Sequence, residues 1–312
     1  MADLEHRPVL LNEVIEALNV TPEGTYIDAT FGRGGHSKEI LRRLGPQGRL
    51  LAIDKDPEAV KAASTDPDLK NDKRFTIQQG SFDRMENWVQ QQGYFGKVNG
   101  ILLDLGVSSP QLEDAKRGFS FLHDGPLDMR MNTEQEFNAE IWINSAKEAT
   151  ISKVLKEYGE ERYAKRIAKS IIAARTQQRI TRTKQLADII AKAHPHWQPG
   201  KNPATRSFQG IRIFINRELE ELKSVLPQCL NVLRVGGRLC VISFHSLEDR
   251  LIKQFLQHQE RGKDLPRSVP ITHQELHQRM KRVGKAIYPS SSEVEENSRA
   301  RSAKLRVGEK LL

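Results

Sequence analysis

The sequence predicts a doubly wound α/β sheet, and three observations carry that prediction. Up to Asp104, four strand-like apolar runs alternate with helical segments. The first run opens directly into a glycine turn. The second and fourth runs end in aspartates, Asp54 and Asp104, at the carboxyl edge where such sheets bind ligands.

Taken in order, the chain opens with an extended piece and a short helix, with Leu11, Val14, Ile15 and Leu18 on one face. Residues 25–37 are the stretch around which the chain is organised. Tyr26, Ile27, Ala29 and Phe31 supply an apolar, β-favouring run, and Gly32, Gly34 and Gly35 permit positive φ and close approach of a ligand to bare backbone. Ser37 is expected to cap a helix over 38–44, stopped by Gly45-Pro46. A second strand spans 49–54, and Pro57 suits the first turn of the next helix. A third strand covers 74–82, where Phe82 serves either the core or an adenine ring. A helix with Met85, Trp88 and Val89 leads into the strand 98–104, whose centre is Ile101-Leu102-Leu103.

Beyond Asp104 the alternation stops. Residues 110–203 read as loops and helices with no strand. Residues 117–131 mix turn formers with polar and aromatic side chains, as a substrate-contacting loop would. A helical run over 151–174 carries Ile151, Val154, Leu155 and Tyr158 on one stripe, with Lys165, Arg166 and Lys169 elsewhere and Arg175 just beyond. A short helix comes next over 183–193, then a long one over 205–235 bent near Pro227. The sheet resumes over 236–245, and Ser246 is expected to cap a helix with Leu247, Leu251, Ile252 and Phe255. Residues 261–300 look like a surface excursion, and 303–308 like the last strand. The expected domains are therefore 1–109 with 205–312, and an inserted helical domain over 110–204 that recognises RNA.

The glycine spacing is G-x-G-G, which fits the dinucleotide fingerprint G-x-G-x-x-G poorly. Asp28, within the first strand, would repel a pyrophosphate but suits a cationic ligand. Asp54 can accept hydrogen bonds from both hydroxyls of a ribose. S-adenosylmethionine satisfies both: a ribose for Asp54, and a sulfonium and an ammonium near Asp28 and the glycine loop. A methyltransferase is favoured over a nicotinamide dehydrogenase on these grounds.

Charge is unevenly spread along the 312 residues. The net of +9 divides into −7 over residues 1–150, +11 over 151–217 and +5 over 218–312. An acidic cofactor-binding part joined to a basic middle points to a polyanionic partner, nucleic acid ahead of a merely solvated face. With 38% apolar residues, no run approaching the ~20 needed to cross a bilayer and no hydrophobic leader, a soluble cytoplasmic protein without membrane contact is expected. The two cysteines, Cys229 and Cys240, stand in apolar contexts and read as core residues. No metal site is expected: Pro195 separates His194 from His196, and further ligands are lacking.

Four motifs together resemble one family. They are Asp28-Ala-Thr-Phe-Gly-Arg-Gly-Gly-His-Ser37, Asp104-Leu-Gly-Val-Ser-Ser-Pro-Gln111, Arg117-Gly-Phe-Ser-Phe121 with Gly125-Pro-Leu-Asp-Met-Arg-Met131, and Ser243-Phe-His-Ser-Leu-Glu-Asp-Arg250. Asn297-Ser-Arg-Ala-Arg-Ser-Ala303 adds to them. The family is the MraW-type bacterial small-subunit ribosomal RNA cytosine-N4 methyltransferase. The resemblance covers nearly the whole chain and is weakest over 257–277. It implies a class I S-adenosylmethionine-dependent methyltransferase, a Rossmann-like, mostly parallel sheet with a helical insertion. It also implies methyl transfer to N4 of a cytidine in 16S rRNA, nominally position 1402 of the decoding centre. Carried over by motif, the cofactor contacts fall on Gly34, Gly35 and His36, on Asp54 at the ribose, on Phe82 at the adenine, and on Asp104 and Gln111.

The exocyclic amine of cytosine is a poor nucleophile, because its lone pair is delocalised into the ring. Transfer needs that amine in line with the methyl group and an acceptor for its proton. Asp104, a nearby carbonyl, or the hydroxyls of Ser108 and Ser109 could orient it, so no catalytic base is assigned. His36 is expected to bond the ligand; His245 either touches the target base or caps a helix. Two other functions stay open: a non-catalytic RNA-binding assembly factor, and an amino-methyltransferase acting on DNA. A homodimer is one option for the assembly.

Overall fold

The computed structural model describes residues 8–195, 202–262 and 277–312. The expectations for the first seven residues, for His196 and for 263–276 lie outside the described residues. The chain divides into two compact units, residues 1–106 with 219–312, and residues 107–218.

In the first unit the elements run α1 (Leu11–Leu18), β1 (Thr25–Asp28), α2 (Gly35–Arg43), β2 (Arg49–Asp54), α3 (Pro57–Thr65), β3 (Phe75–Gln79), α4 (Met85–Gln91) and β4 (Val98–Asp104). The second unit contributes α5 (Ser109–Glu113), α6 (Ala139–Ser145), α7 (Glu148–Glu157), α8 (Ala164–Gln177), α9 (Thr183–Ala193) and α10 (Ala204–Asn216). The first unit then resumes with α11 (Glu218–Val232), β5 (Leu233–Ser243), α12 (Ser246–Arg261), β6 (Met280–Arg282), α13 (Ser291–Glu296) and β7 (Lys304–Lys310).

The seven strands among the described residues form one sheet in the order β3-β2-β1-β4-β5-β7-β6. The first five pair in parallel, and β7 runs antiparallel to both β5 and β6. This is the class I methyltransferase sheet that the motifs imply. Its two faces follow the period of two along each strand. Tyr26, Leu50, Ala52, Leu102, Cys240 and Ile242 face one core, shared with α1, α2 and α3. Their neighbours Ile27, Leu51, Ile53, Ile101, Leu103, Leu239 and Val241 face the other, shared with α4, α11 and α12. Both faces are thus buried at the centre of the sheet, where β2 and β4 read as continuous apolar runs; the edge strand β3 alternates. The cysteine thiols are buried, one in each core, and burial pushes Cys240 up to about 12.

Several boundaries depart from the expectation, each for a local reason. Helix α2 starts at Gly35, with Gly34 at φ 75° as its cap; Ser37 sits inside the first turn. Helix α12 is capped at His245 rather than Ser246, and the Glu248 carboxylate accepts from the backbone N–H of Phe244 at 2.9 Å. The helix expected over 205–235 is two helices. Arg217 turns left-handed at φ 54°, whereas Pro227 is accommodated inside α11. Strand β5 begins at Leu233, pairing with Val98; the register then jumps to Arg238 opposite Gly100, and exposed Arg234, Val235 and Gly236 bulge outward. Strand β6 falls within the expected surface excursion.

The second unit is helical, with its own core built from Trp142, Ile151, Leu155, Ile167, Ile171, Leu186, Ile190, Phe208 and Ile211. Its limits, 107 and 218, take in α10, because Phe208, Ile211 and Ile215 belong to this core. The run expected over 151–174 breaks between α7 and α8, where Glu160 is left-handed at φ 47°. Asn216 ties the unit's loop down: its side-chain amide donates to Met129 O and its oxygen accepts from Met131 N, both at 2.7 Å. No helix among the described residues is long and apolar enough to cross a membrane.

Candidate cofactor site

Three adjacent strands, β2, β1 and β4, end in Asp54, Asp28 and Asp104, so the parallel pairing brings three carboxylates to one edge of the first unit. Asp28 is buried. Its Oδ2 accepts from the Ser37 hydroxyl at 2.7 Å and its Oδ1 from Thr30 N at 3.2 Å. Desolvation nevertheless dominates and raises its pKa from 3.8 to about 6. Asp54 accepts from Gly32 N at 2.7 Å and Asp56 N at 2.8 Å, and burial raises it likewise to about 6. Each oxygen keeps a further lone pair, so bonds to a ribose remain open to it.

Asp104 differs from both. Its Oδ1 is buried and has no hydrogen-bond partner. Burial, with the charges of Asp28 and Glu248 adding to it, pushes its pKa to about 8. A quarter of the side chain is solvent-exposed, which limits that rise. An acid that is desolvated, unpartnered and flanked by other acids is a site for a cation.

The glycine loop frames this edge. Gly32 has φ 57°, and its N–H is the donor to Asp54. No side chain caps α2, so the first-turn amides are available to an anionic group. Gly35 has a packing reason of its own: a Cβ there would lie 2.2 Å from Pro8 Cγ. His36 points inward. Its Nε2 donates to Val9 O at 3.1 Å, since a carbonyl can only accept, and burial lowers its pKa to about 4. His36 is therefore neutral, and the 3.7 Å between its Nδ1 and Asp104 Oδ2 is not an ion pair. Its backbone N–H, in the uncapped first turn of α2, and the acceptor lone pair of Nδ1 remain for a ligand.

Phe82 opens a 3-10 turn two residues past Gly80 and is half-buried against the second core. These residues, from Asp28 to Phe82 and Asp104, share one sheet edge. Gln111 lies in the second unit, buried in α5, where its Oε1 accepts from Ser108 N at 2.9 Å and so completes a capping box. His194 also lies there, 3.8 Å from Glu161. His245 is half-buried in the first unit at the N-cap of α12, and its Nε2 sits 3.1 Å from Glu248 Oε1.

Two residues at this edge escaped the reading of the sequence. Thr30 binds both aspartates, donating its N–H to Asp28 and accepting from Asp104 N at 2.6 Å through Oγ1. Ser37 serves Asp28 instead of the helix end. Both hydroxyls look like ordinary turn formers in sequence; the pairing of β1 with β4 brings Thr30 to Asp104, and the turn from β1 into α2 brings Ser37 to Asp28.

A profile described as the MraW methylase family matches residues 3–311. The Ribosomal RNA small subunit methyltransferase H of Coxiella burnetii (strain RSA 331 / Henzerling II) is 58% identical over 306 residues, covering 98% of this chain and 99% of that protein. The protein of the same name from Legionella pneumophila (strain Paris) is 54% identical over 307 residues, covering 98% and 99%. Among solved structures, the rRNA methylase from Streptococcus thermophilus covers 99% of this chain and 100% of its own at a TM-score of 0.45 and 11% identity, too distant a likeness to carry an argument.

The raised pKa of Asp104 has a consequence for stability. The folded chain holds this proton up to about pH 8, while the unfolded chain releases it near 3.8. Its cost to folding is absent below pH 4, grows as pH rises, and is complete above 8. Asp104→Asn, nearly isosteric and uncharged, is expected to raise the unfolding midpoint of the ligand-free protein at pH 8, with the gain vanishing towards pH 4. Thermal melts of both proteins across that range check it.

Proposed function

The chain belongs to the MraW methylase family, and from that premise we propose that it methylates the exocyclic N4 of a cytidine in 16S rRNA, nominally position 1402 of the decoding centre. It is an S-adenosylmethionine-dependent ribosomal RNA methyltransferase. The observation that carries the site assignment is the unpartnered, buried Oδ1 of Asp104 beside Asp28. A small ligand bearing a sulfonium and an ammonium supplies the positive charge that these acids lack.

The residues then divide the ligand between them. Asp54 takes the ribose hydroxyls with its remaining lone pairs. Phe82 lies along the adenine. The amides of Gly35 and His36 receive the carboxylate end at the start of α2, and Gly34, whose own N–H donates to Phe31 O at 2.8 Å, supplies the left-handed turn that presents them. Asp28 and Asp104 balance the cations, and Gln111 is assigned with them through its motif. When bound, the cofactor supplies an electrophilic methyl group. The protein supplies position: it holds the acceptor amine in line and excludes water from the edge. No side chain is assigned as proton acceptor.

The target base must be unstacked to enter such an edge. The helical unit is proposed to grip the RNA backbone. Helix α8 buries Ala164, Ile167, Ala168 and Ile171 and exposes Lys165, Arg166 and Lys169 on the opposite side. Arg175 is committed elsewhere: it donates to Ile143 O at 2.6 Å and holds the end of α6.

The direct test is nucleoside mass mapping of ribosomal RNA from cells lacking this chain. Loss of N4-methylcytidine from the small-subunit RNA is expected. Its persistence, or tritium transfer by the purified protein to duplex DNA in preference to small subunits, would overturn the assignment. Reversing charge at Lys165 and Lys169 together is expected to weaken RNA binding, lower the salt slope by roughly two, and leave S-adenosylmethionine affinity intact by calorimetry. Equal loss of both affinities would count against a gripping role.

A further inference from the structure

We propose that Tyr288 is a stacking platform for a nucleobase flanking the target, with Lys304 as its electrostatic partner; this rests on ribosomal RNA being the substrate. Tyr288 is 60% exposed, a large aromatic ring left in solvent. It is not on a loose loop. The preceding residue, Ile287, forms a two-way bridge to Leu305 of β7, donating its N–H to Leu305 O and accepting from Leu305 N, both at 2.9 Å. Pro289 stiffens the chain immediately after. The backbone that carries the ring is therefore held in place.

That place is set by the register of the sheet. Asp104 pairs with Ile242, Ile242 with Leu305, and Leu305 with Ile287. One row thus crosses from Asp104, in the proposed cofactor site, to the residue beside Tyr288. Three steps of about 4.8 Å put the two ends roughly 14 Å apart on the same unit. A base entering the pocket at Asp104 would have its neighbours within reach of the ring.

The surroundings suit a polyanion. Lys304 Nζ lies over the Tyr288 ring at 6.0 Å from its centroid and is anchored at 3.3 Å to Asp249. With a cation on one face, the exposure of the ring leaves the other open. Lys285, three residues before the ring, is exposed as well. An aromatic face bordered by cations binds single-stranded nucleic acid by stacking and by charge together. Because the ring is exposed, removing it opens no cavity.

The test is steady-state methyl transfer from tritiated S-adenosylmethionine to unmethylated small ribosomal subunits. For Tyr288→Ala, KM for the subunit is expected to rise roughly 5- to 150-fold, the range of one lost base stack. Its kcat, its calorimetric affinity for S-adenosylmethionine and its melting temperature should stay at wild-type values. Tyr288→Phe, which keeps the ring, should stay within about twofold of wild type on the same stacking argument. An unchanged KM in Tyr288→Ala, or a loss in Tyr288→Phe as large as in Tyr288→Ala, would overturn the platform. No transfer to subunits by the wild-type protein would instead refute the substrate reading on which it rests.

Discussion

Negative charge held out of water at the end of a parallel sheet is the constraint on which the rest of this protein turns. Burying a carboxylate costs free energy unless donors or an opposite charge offset it. Asp28 and Asp54 recover part of that cost through two hydrogen bonds each. Asp104 recovers none at Oδ1. The ligand-free state is thus strained electrostatically in one direction, towards a small cation. The same feature argues against a pyrophosphate, which the three acids would repel.

The remainder of the first unit holds those acids in place. Register between β1, β2 and β4 aligns the strand ends, and apolar cores on both faces make the sheet rigid. Thr30 couples Asp28 to the backbone of Asp104, so the two acids form one hydrogen-bonded assembly. Gly34, in a left-handed conformation, starts α2 beside them without a capping side chain, which leaves its amides to a ligand. The Asp104–Leu305–Ile287 row extends that rigidity outward to an exposed aromatic ring. Cofactor chemistry and RNA contact then share one frame.

Much of this was legible in the residues. The strand cores of β1, β2 and β4 show apolar runs, because the centre of the sheet is buried on both faces, whereas the edge strand β3 alternates. Asp54 and Asp104 stand at strand ends, where position alone implies a ligand. Other features were hidden for physical reasons. A left-handed Arg217 or Glu160 has no compositional signature, so α10 and α11, and α7 and α8, read as continuous helices. Gly236-Gly237 looks like a turn before a strand, whereas β5 runs through it by bulging. Ser37 looks like a helix cap, because its true partner is nine residues away and within reach only once β1 and α2 are formed. The bond from the His36 ring to Val9 is also absent from the sequence pattern, because the two residues lie 27 positions apart.

The central claim, that a cation completes a charge-deficient site, is tested most directly by calorimetry of S-adenosylmethionine binding at pH 7 in buffers of differing ionisation enthalpy. Without ligand, Asp104 is largely protonated at that pH. Pairing with a cation lowers its pKa, so binding should release a proton, up to roughly one per site. Release by the wild-type protein and its loss in Asp104→Asn is the result expected. Binding heats independent of the buffer in the wild-type protein would contradict the account.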